Sequence, residues 1–567
     1  YIQRAGRAGR RTDTAAYIMT FAQRRSHDLS HYDDPTRMVS GKLNPPRTPL
    51  TNEKILRRHL HSVVFARFFK WSKEERKIQF KRVGDFFSPE DGPDGRTLLR
   101  EYLTNRPKEL KAQIINIIPD NMVKLYGIED WEWVEQLTND DRTGVLDLAY
   151  DDVIDDLDFL QKELERLMKE GSEEVNFKKL RAAEGKQKIM EQIKGRELLG
   201  FLGSRNVLPK YGFPVDVVEL QTNHLASTAE ATEVDLSRDL RVAISEFAPG
   251  SQVIAAKKIW TGNGLKTHRT KDWQIIKYAI CSNCQNFYQG QAIPTTCSCG
   301  NPLNKTREFV IPETGFVAAK DVGTPGDAPP KRTYASRTYF ADYEEEKAKL
   351  FDDSADYIPL YSFQLPISTR YSKFGWMTLV NDGYGKGFRI CKSCGYGEVV
   401  DFFSRGSLSK HRNPITDQEC RGRMYNYDLG HRYLTDVLEI RIEGIPINLK
   451  KKNPMRSLMY ALLEGASESQ GIRRSDIDGT LYHREFGESP SIILYDAVPG
   501  GAGHVENIKD NLRDAMYAGF KKVNDCKCGE DTSCYNCLRN YQNQYYHDDL
   551  QRGYAIKLLR LLLGNGI

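Results

Sequence analysis

The chain has 567 residues, 40% of them hydrophobic and 28% charged, so it should hold several soluble domains, because a single core rarely grows past roughly 250–300 residues. No stretch approaches the ~18–20 uninterrupted apolar residues of a membrane span, which argues against a membrane partner. Lys and Arg number 82 against 77 Asp and Glu, and a net charge of only +5 leaves any nucleic-acid contact to local patches.

The chain opens at Tyr1-Ile2-Gln3 with no initiator Met and no signal peptide, and we read it as starting inside a motif, in a cytoplasmic protein. That motif is Gln3-Arg4-Ala5-Gly6-Arg7-Ala8-Gly9-Arg10. Arginine's planar fork stays charged and can pair two phosphate oxygens at once. Two arginines three residues apart, with small residues between, can present both forks from one helix start. The alternative is a flexible Arg/Gly tail. The apolar run Ala15–Phe21 that follows predicts a buried strand, which favours a folded domain.

Asn44-Pro45-Pro46 and Pro49 predict a linker. Between 50 and 125, helical patterns alternate with basic residues, among them Arg57, Arg58, Arg67, Lys70, Lys73, Arg76, Lys77, Lys81 and Arg82, with Phe68, Phe69 and Trp71 interleaved. A DNA-facing surface and a solvated helix face explain them equally well. Val153, Leu157, Leu160, Leu164 and Leu167 step by four and three, as in an amphipathic helix. Gly171-Ser172 interrupts the pattern, and a second basic helix is expected from about 176 to 199. The pair reads as a helical hairpin, either a spacer or a grip on DNA.

From about 235 the texture becomes alternating and rich in glycine and aromatics, and Leu240-x-Val242-x-Ile244 reads as a strand. Every one of the eleven cysteines falls in one of three clusters here or beyond. Such pairs in a large chain point to metal sites, not to a disulfide scaffold. The first is Cys281-x2-Cys284 with Cys297-x-Cys299, and Gly300 suits the tight knuckle after it. The second has only Cys391, Cys394 and Cys420, with His411 between them as the candidate fourth ligand of a Cys3His site; a surface histidine is the alternative. The third is Cys526-x-Cys528 with Cys534-x2-Cys537. About three zinc ions per chain are expected, in closed structural sites. His504-Val505-Glu506 before Cys534-x2-Cys537 imitates a nucleobase-deaminase signature, but Cys526 and Cys528 complete the site and Ser533 stands where that signature wants proline.

Val322–Pro330 reads as an exposed loop, and 456–464 as a buried helix. Pro499–Gly503 fits a strand-to-helix turn better than a phosphate nest. A nuclease on Glu464, Asp478 and Asp496 is a poor third, since no E-x-K pair follows Asp496.

The N-terminal octet resembles motif VI of superfamily 2 helicases. Leu494-Tyr495-Asp496-Ala497-Val498-Pro499-Gly500-Gly501-Ala502-Gly503, the Cys526–Cys537 cluster and the apolar helix after it resemble the C-terminal zinc-binding domain of mitomycin-repair-factor-A-type helicases. Similar domains occur in helicase-related proteins of the DISARM and Druantia phage-defence systems, and Asn52–His59 and Phe247–Ser251 fit the same group. The resemblance implies that Arg7 and Arg10 act as arginine fingers on ATP and Mg2+ held mainly by another motor domain, with Gln3 and Gly6 beside them. No G-x-x-x-x-G-K-[ST] loop and no D-E-x-H or D-E-x-D box occurs in these 567 residues, so the chain alone is expected to be inactive.

The fold class expected is multidomain α/β plus α+β: 1–46 the end of a second RecA-like motor domain, 47–125 a winged-helix-like unit, 126–232 a helical connector, 233–440 a β-rich zinc-knuckle region, and 441–567 the C-terminal zinc-binding domain. The function expected is the C-terminal part of an ATP-dependent DNA helicase or translocase in DNA repair or anti-phage defence. Its partners would be DNA, a first motor domain and other defence subunits. The alternative is a non-catalytic DNA-binding scaffold that keeps a relic motor domain beside a separate helicase.

Overall fold

The computed structural model describes residues 17–21, 32, 35–36, 53–170, 187, 190–191, 193–209, 216–222, 234, 236–267, 272–326, 336–345, 348, 356–400, 410–446, 449, 451–483, 488–540 and 543–564. The octet with Gln3, Gly6, Arg7 and Arg10 lies outside them, as does the Asn44–Pro49 linker. Tyr17–Phe21 was expected to finish a buried strand. It has no regular structure, and Tyr17 and Met19 are almost fully exposed. No strand among the described residues pairs with it or covers it.

The N-terminal body is helical: α1 (Glu53–Glu75), α2 (Val83–Phe87), α3 (Gly95–Thr104), α4 (Lys108–Ile117), α5 (Asp120–Leu125), α6 (Trp133–Leu137), α7 (Val145–Glu170) and α8 (Leu198–Ser204). α1 buries Leu56, Leu60, Val64 and Phe68 on one face at a spacing of four, against Phe86, Leu99 and Leu103. The basic run is divided by that geometry. Arg67 pairs with Glu109 at 3.2 Å, Arg76 pairs with Glu101, and Arg58 turns inward to Asn206 at 2.8 Å, while Lys70, Lys73, Lys77, Lys81 and Arg82 stay exposed. Buried Asp147 gathers the backbone N–H groups of Asn139 and Gly144, the Thr138 hydroxyl and the Arg96 guanidinium, and so ties the start of α7 to α3. No strand lies between 53 and 170 among the described residues, so the 47–125 unit lacks the hairpin that a winged helix requires. α7 buries Val153, Leu157 and Leu160 as its period predicts. The second arm of the expected hairpin falls largely outside the described residues.

The β-rich region follows, and its first sheet runs in the order β2-β1-β8-β4-β3. These strands are β1 (Val217–Gln221), β2 (Ser237–Asp239), β3 (Gln252–Ala255), β4 (Lys258–Leu265) and, after β5 (Gln274–Ile280), β6 (Phe287–Gln289) and β7 (Thr306–Ile311), β8 (Phe316–Ala318). Leu240-x-Val242-x-Ile244 is a helix, α9 (Leu240–Glu246), which corrects the strand expectation. Asp239 caps it by accepting from Arg241 N, and Leu240, Ala243 and Ile244 face the core while Val242 faces out.

β5, β6 and β7 belong to an eleven-stranded sheet with β9 (Ser336–Tyr343), β10 (Ile358–Leu360), β11 (Ile367–Asn381), β12 (Phe388–Cys391), β13 (Gly397–Val399), then, after the separate two-stranded ribbon β14 (His411–Arg412) and β15 (Glu419–Cys420), β16 (Met424–Ile442), β17 (Ile477–Tyr482) and β18 (Ser491–Asp496). The 19-residue β16 is the spine of the fold. It pairs antiparallel with β11 from Leu429 to Ile442, with β12 at its start and with β18 from Val437 to Ile440, and parallel with β7 at Asp428 and Leu429. The expected domain boundary at 440/441 therefore cuts a strand, and the central sheet continues into the C-terminal domain. There α10 (Lys452–Gln470), which contains the buried helix expected at 456–464, packs with α11 (His504–Asp510), α12 (Leu512–Asp525) and α13 (Arg552–Leu563). α10 and α12 touch through glycine: a Cβ on Gly465 would strike the Ala515 carbonyl, and one on Gly519 the Ala461 carbonyl. Of the 322–330 loop, residues 322–326 are described, and Thr324 and Gly326 are exposed as expected.

Candidate metal centres

Three knuckles project from this framework, and each brings together the four residues expected from spacing. Cys281, Cys284, Cys297 and Cys299 form one set, Cys391, Cys394, His411 and Cys420 a second, and Cys526, Cys528, Cys534 and Cys537 a third, with the ligand atoms of each set within 4.8 Å of one another.

In the first knuckle the β5–β6 turn carries Cys281 and Cys284, and the turn before β7 carries the other pair. Cys281 Sγ lies 3.6 Å from Cys299 Sγ, and Cys284 Sγ 3.4 Å from Cys297 Sγ. A tetrahedron with Zn–S bonds of ~2.3 Å has edges of ~3.8 Å, so the donor set fits a zinc ion. Gly300 adopts φ +80°, the conformation expected of it. The Tyr288 hydroxyl donates to Cys297 Sγ at 3.3 Å. The knuckle is moored to the end of β17: Asn286 Oδ1 accepts from His483 N at 2.8 Å, and Ser298 Oγ donates to His483 O at 2.8 Å. Neither Asn286 nor Tyr288 was singled out from sequence, because nothing local marks them.

In the second, Cys391 ends β12, and the β14–β15 ribbon pairs His411 directly with Cys420. His411 is buried and its ring stacks on Tyr396 at 5.2 Å, so it is not a surface histidine. The knuckle meets β4 backbone to backbone: Leu265 N donates to Gly395 O at 2.8 Å, and a side chain on Gly264 or Gly395 would collide there.

In the third, the pair after α12 meets Cys534 and Cys537, with sulfur separations of 3.5 Å (Cys526–Cys534) and 3.8 Å (Cys528–Cys537). Arg552, from α13, holds the loop by donating to Val523 O and Cys528 O. Burial pushes the thiols of Cys284, Cys394 and Cys537 well up, and that of Cys528 up to about 11. Burial also acts on Cys297, yet the Tyr288 hydroxyl and the Cys299 N–H outweigh it and bring that thiol down to about 7. A bound cation reverses the burial effect by favouring the thiolates.

The carboxylates that a nuclease would need, Glu464, Asp478 and Asp496, are all engaged elsewhere. Glu464 is held by Lys522 at 2.9 Å and Arg474 at 3.3 Å, and Asp478 by Arg474. Asp496 fills the Pro499–Gly503 turn itself. Its carboxylate accepts from Ala502 N, His504 N and Val505 N at 2.5, 3.1 and 3.0 Å, so the turn holds the chain's own anion and leads from strand to helix. Asp436, on β16, lies beside it and accepts from Gly503 N at 3.1 Å. Sequence reading missed Asp436, which sits 60 positions from its partner.

Burial, then the Asp496 charge, pushes Asp436 up to about 7, with Glu506 adding to the effect and Gly503 N–H and Lys373 opposing it. A carboxyl raised in the folded state stabilises fully below its unfolded value near 4, and that contribution is lost as pH rises through about 7. The difference is on the order of 4 kcal/mol. Asp436→Asn keeps an oxygen for Gly503 N–H and removes the charge. Thermal melts of this variant should match wild type near pH 4, run a few degrees higher at pH 8 and flatten the profile between. A variant that parallels wild type at every pH contradicts the assignment.

Residues 458–538 match the family described as MrfA Zn-binding domain, a span that contains the third cysteine set. Over an alignment of 624 residues the chain is 26% identical to the Druantia protein DruE of Escherichia coli (strain UMEA 4076-1), covering 99% of this chain and 32% of that protein. The chain thus spans about a third of that relative's length. Crystal structures of the DUF1998 helicase MrfA, bound to DNA and bound to DNA and AMPPNP, align at TM-scores of 0.28 and 0.23 with 11% and 10% identity. They cover 59% and 57% of this chain and 36% and 29% of those chains, a likeness too distant to argue from. No helix among the described residues is long and apolar enough to cross a membrane. Residues 458–538 are thus similar to the MrfA Zn-binding domain family, and nearly the whole chain is similar to part of the Druantia protein DruE.

Proposed function

We propose that this chain is the zinc-braced C-terminal part of an ATP-dependent DNA helicase or translocase that acts in anti-phage defence or DNA repair. The observation that carries this is the coincidence of a MrfA Zn-binding domain at 458–538 with end-to-end similarity to a Druantia protein. In this reading Arg7 and Arg10, with Gln3 and Gly6, complete an ATP and Mg2+ site whose other wall belongs to a first motor domain. The three four-residue sets hold three structural zinc ions. Two of these staple hairpins to the sheet around β16, and the third closes the C-terminal domain. DNA is the partner, and the protein works in the cytoplasm.

The test is ATP hydrolysis by a protein that joins this chain to a first motor domain, with and without DNA. Hydrolysis stimulated by DNA is the expected result. A protein that binds DNA and shows no hydrolysis would turn the reading to a scaffold.

A further inference from the structure

On the side away from β11, β16 is paired to other strands in two separate stretches, with β7 at Asp428 and Leu429 and with β18 from Val437 onward. Arg432 lies between them. Across from it, β6 curls back toward β9 and β11, fixed by Thr378 Oγ1 donating to Gln289 Oε1 at 3.0 Å and by Phe287 stacking on Tyr339 at 4.9 Å. The curl leaves a cleft of about 590 Å³, whose walls include Gln274, Lys277, Gln289, Gln291, Glu308 and Arg432.

Arg432 is the unusual member. Its guanidinium stands 3.7 Å from the centre of the Trp376 ring, so one face is covered and its N–H edge remains for a partner. No carboxylate among the described residues lies within ion-pairing distance of it, and its Nε is buried with no hydrogen-bond partner. Glu344, whose charge acts on it, is engaged by the Trp376 indole N–H at 2.7 Å. Burial holds its pKa below the ordinary arginine value. A half-buried, unpaired cation calls for an anion.

The remaining walls describe the rest of the ligand. Exposed Lys277 adds a second positive charge, and Glu308 limits the site to a single anionic group. Glutamine amides offer both donors and acceptors, as a base edge requires. Ile275 and Ile276 also belong to the lining, and being consecutive on β5 they turn to opposite faces, so one of the two supplies apolar surface for the plane of a base. A Cβ on Gly290 would meet nothing within 4 Å, so the wall there is open. The volume falls in the range of small-ligand pockets and is too small for a duplex.

We propose that this cleft takes one nucleotide of a single-stranded nucleic acid, with its phosphate on Arg432 and Lys277 and its base between the apolar lining of β5 and the amides of Gln289 and Gln291. The assignment rests on the DNA-handling reading of the protein.

Fluorescence anisotropy tests it, with a labelled single-stranded oligonucleotide of about 20 thymidines titrated by the whole chain at several salt concentrations. Arg432→Gln should weaken binding about tenfold and lower the slope of log affinity against log salt by about one. Because Arg432→Gln also uncovers Trp376, Lys277→Gln at an exposed position is the companion variant, with an expected loss of about threefold. If the wild-type chain binds and both variants bind equally well, the cleft assignment alone is overturned. A duplex of the same length that competes as well as the single strand overturns it too. A wild-type chain that binds no oligonucleotide brings down the DNA reading and the cleft with it.

Discussion

Replacing Arg7 or Arg10 by Ala should lower DNA-stimulated ATP hydrolysis by a factor on the order of 10³–10⁵, in a protein that joins this chain to a first motor domain. The reason is electrostatic. As the γ-phosphoryl group leaves, negative charge spreads over its oxygens, and a guanidinium placed against them stabilises the transition state more than the bound nucleotide. The expected factor corresponds to ~4–7 kcal/mol of barrier. Lysine at either position would keep the charge and lose the bidentate fork, so Arg7→Lys should recover little of the rate. Zinc content should be unchanged, because none of the three four-residue sets includes a residue of the octet. Steady-state ATPase assays with and without DNA decide the matter. Rates equal to wild type in both alanine variants would remove the motor assignment.

Cys537→Ser should cost one zinc ion and unfold the C-terminal domain. Cys537 is 2% exposed and belongs to the same core as Leu538, Val523 and Leu559, so its metal site is continuous with the packing of α10, α12 and α13. Structural zinc contributes apparent binding energies of ~10–16 kcal/mol, comparable with the ~5–15 kcal/mol that holds a whole domain together. Cys297→Ser offers the contrast. The first knuckle has its own small cluster with Tyr288 and Leu303 and, among the described residues, reaches the C-terminal domain through contacts such as Asn286 and Ser298 to His483. Its loss should release one ion and leave the C-terminal domain folded. Zinc content and limited proteolysis distinguish the two variants. If Cys537→Ser retained its metal and its protease resistance, the third site would not be a structural one.

The cysteine sets were legible because thiols at two-residue spacings have few other uses, and because each pair lies within one turn. His411 followed from counting donors, and its register opposite Cys420 explains why it serves. What sequence concealed depends on distant partners. Leu240, Val242 and Ile244 satisfy alternation, but Leu240 and Ile244 also share a helical face, and the Asp239 cap settles the choice. The apolar pattern of Tyr17–Phe21 says nothing about whether strands exist to pair with it. Glycines at 500, 501 and 503 fitted a strand-to-helix turn better than an anion nest, and the turn that forms holds the Asp496 carboxylate, with Asp436 brought beside it by the β16–β18 pairing. The role of β16 as common spine was equally hidden, since its 19 residues carry no motif.

That spine and its staples are the centre of the account, and elemental analysis of the purified chain tests them most directly. Three zinc ions per polypeptide are expected, falling to two when any single ligand cysteine is replaced. One ion or none would contradict it.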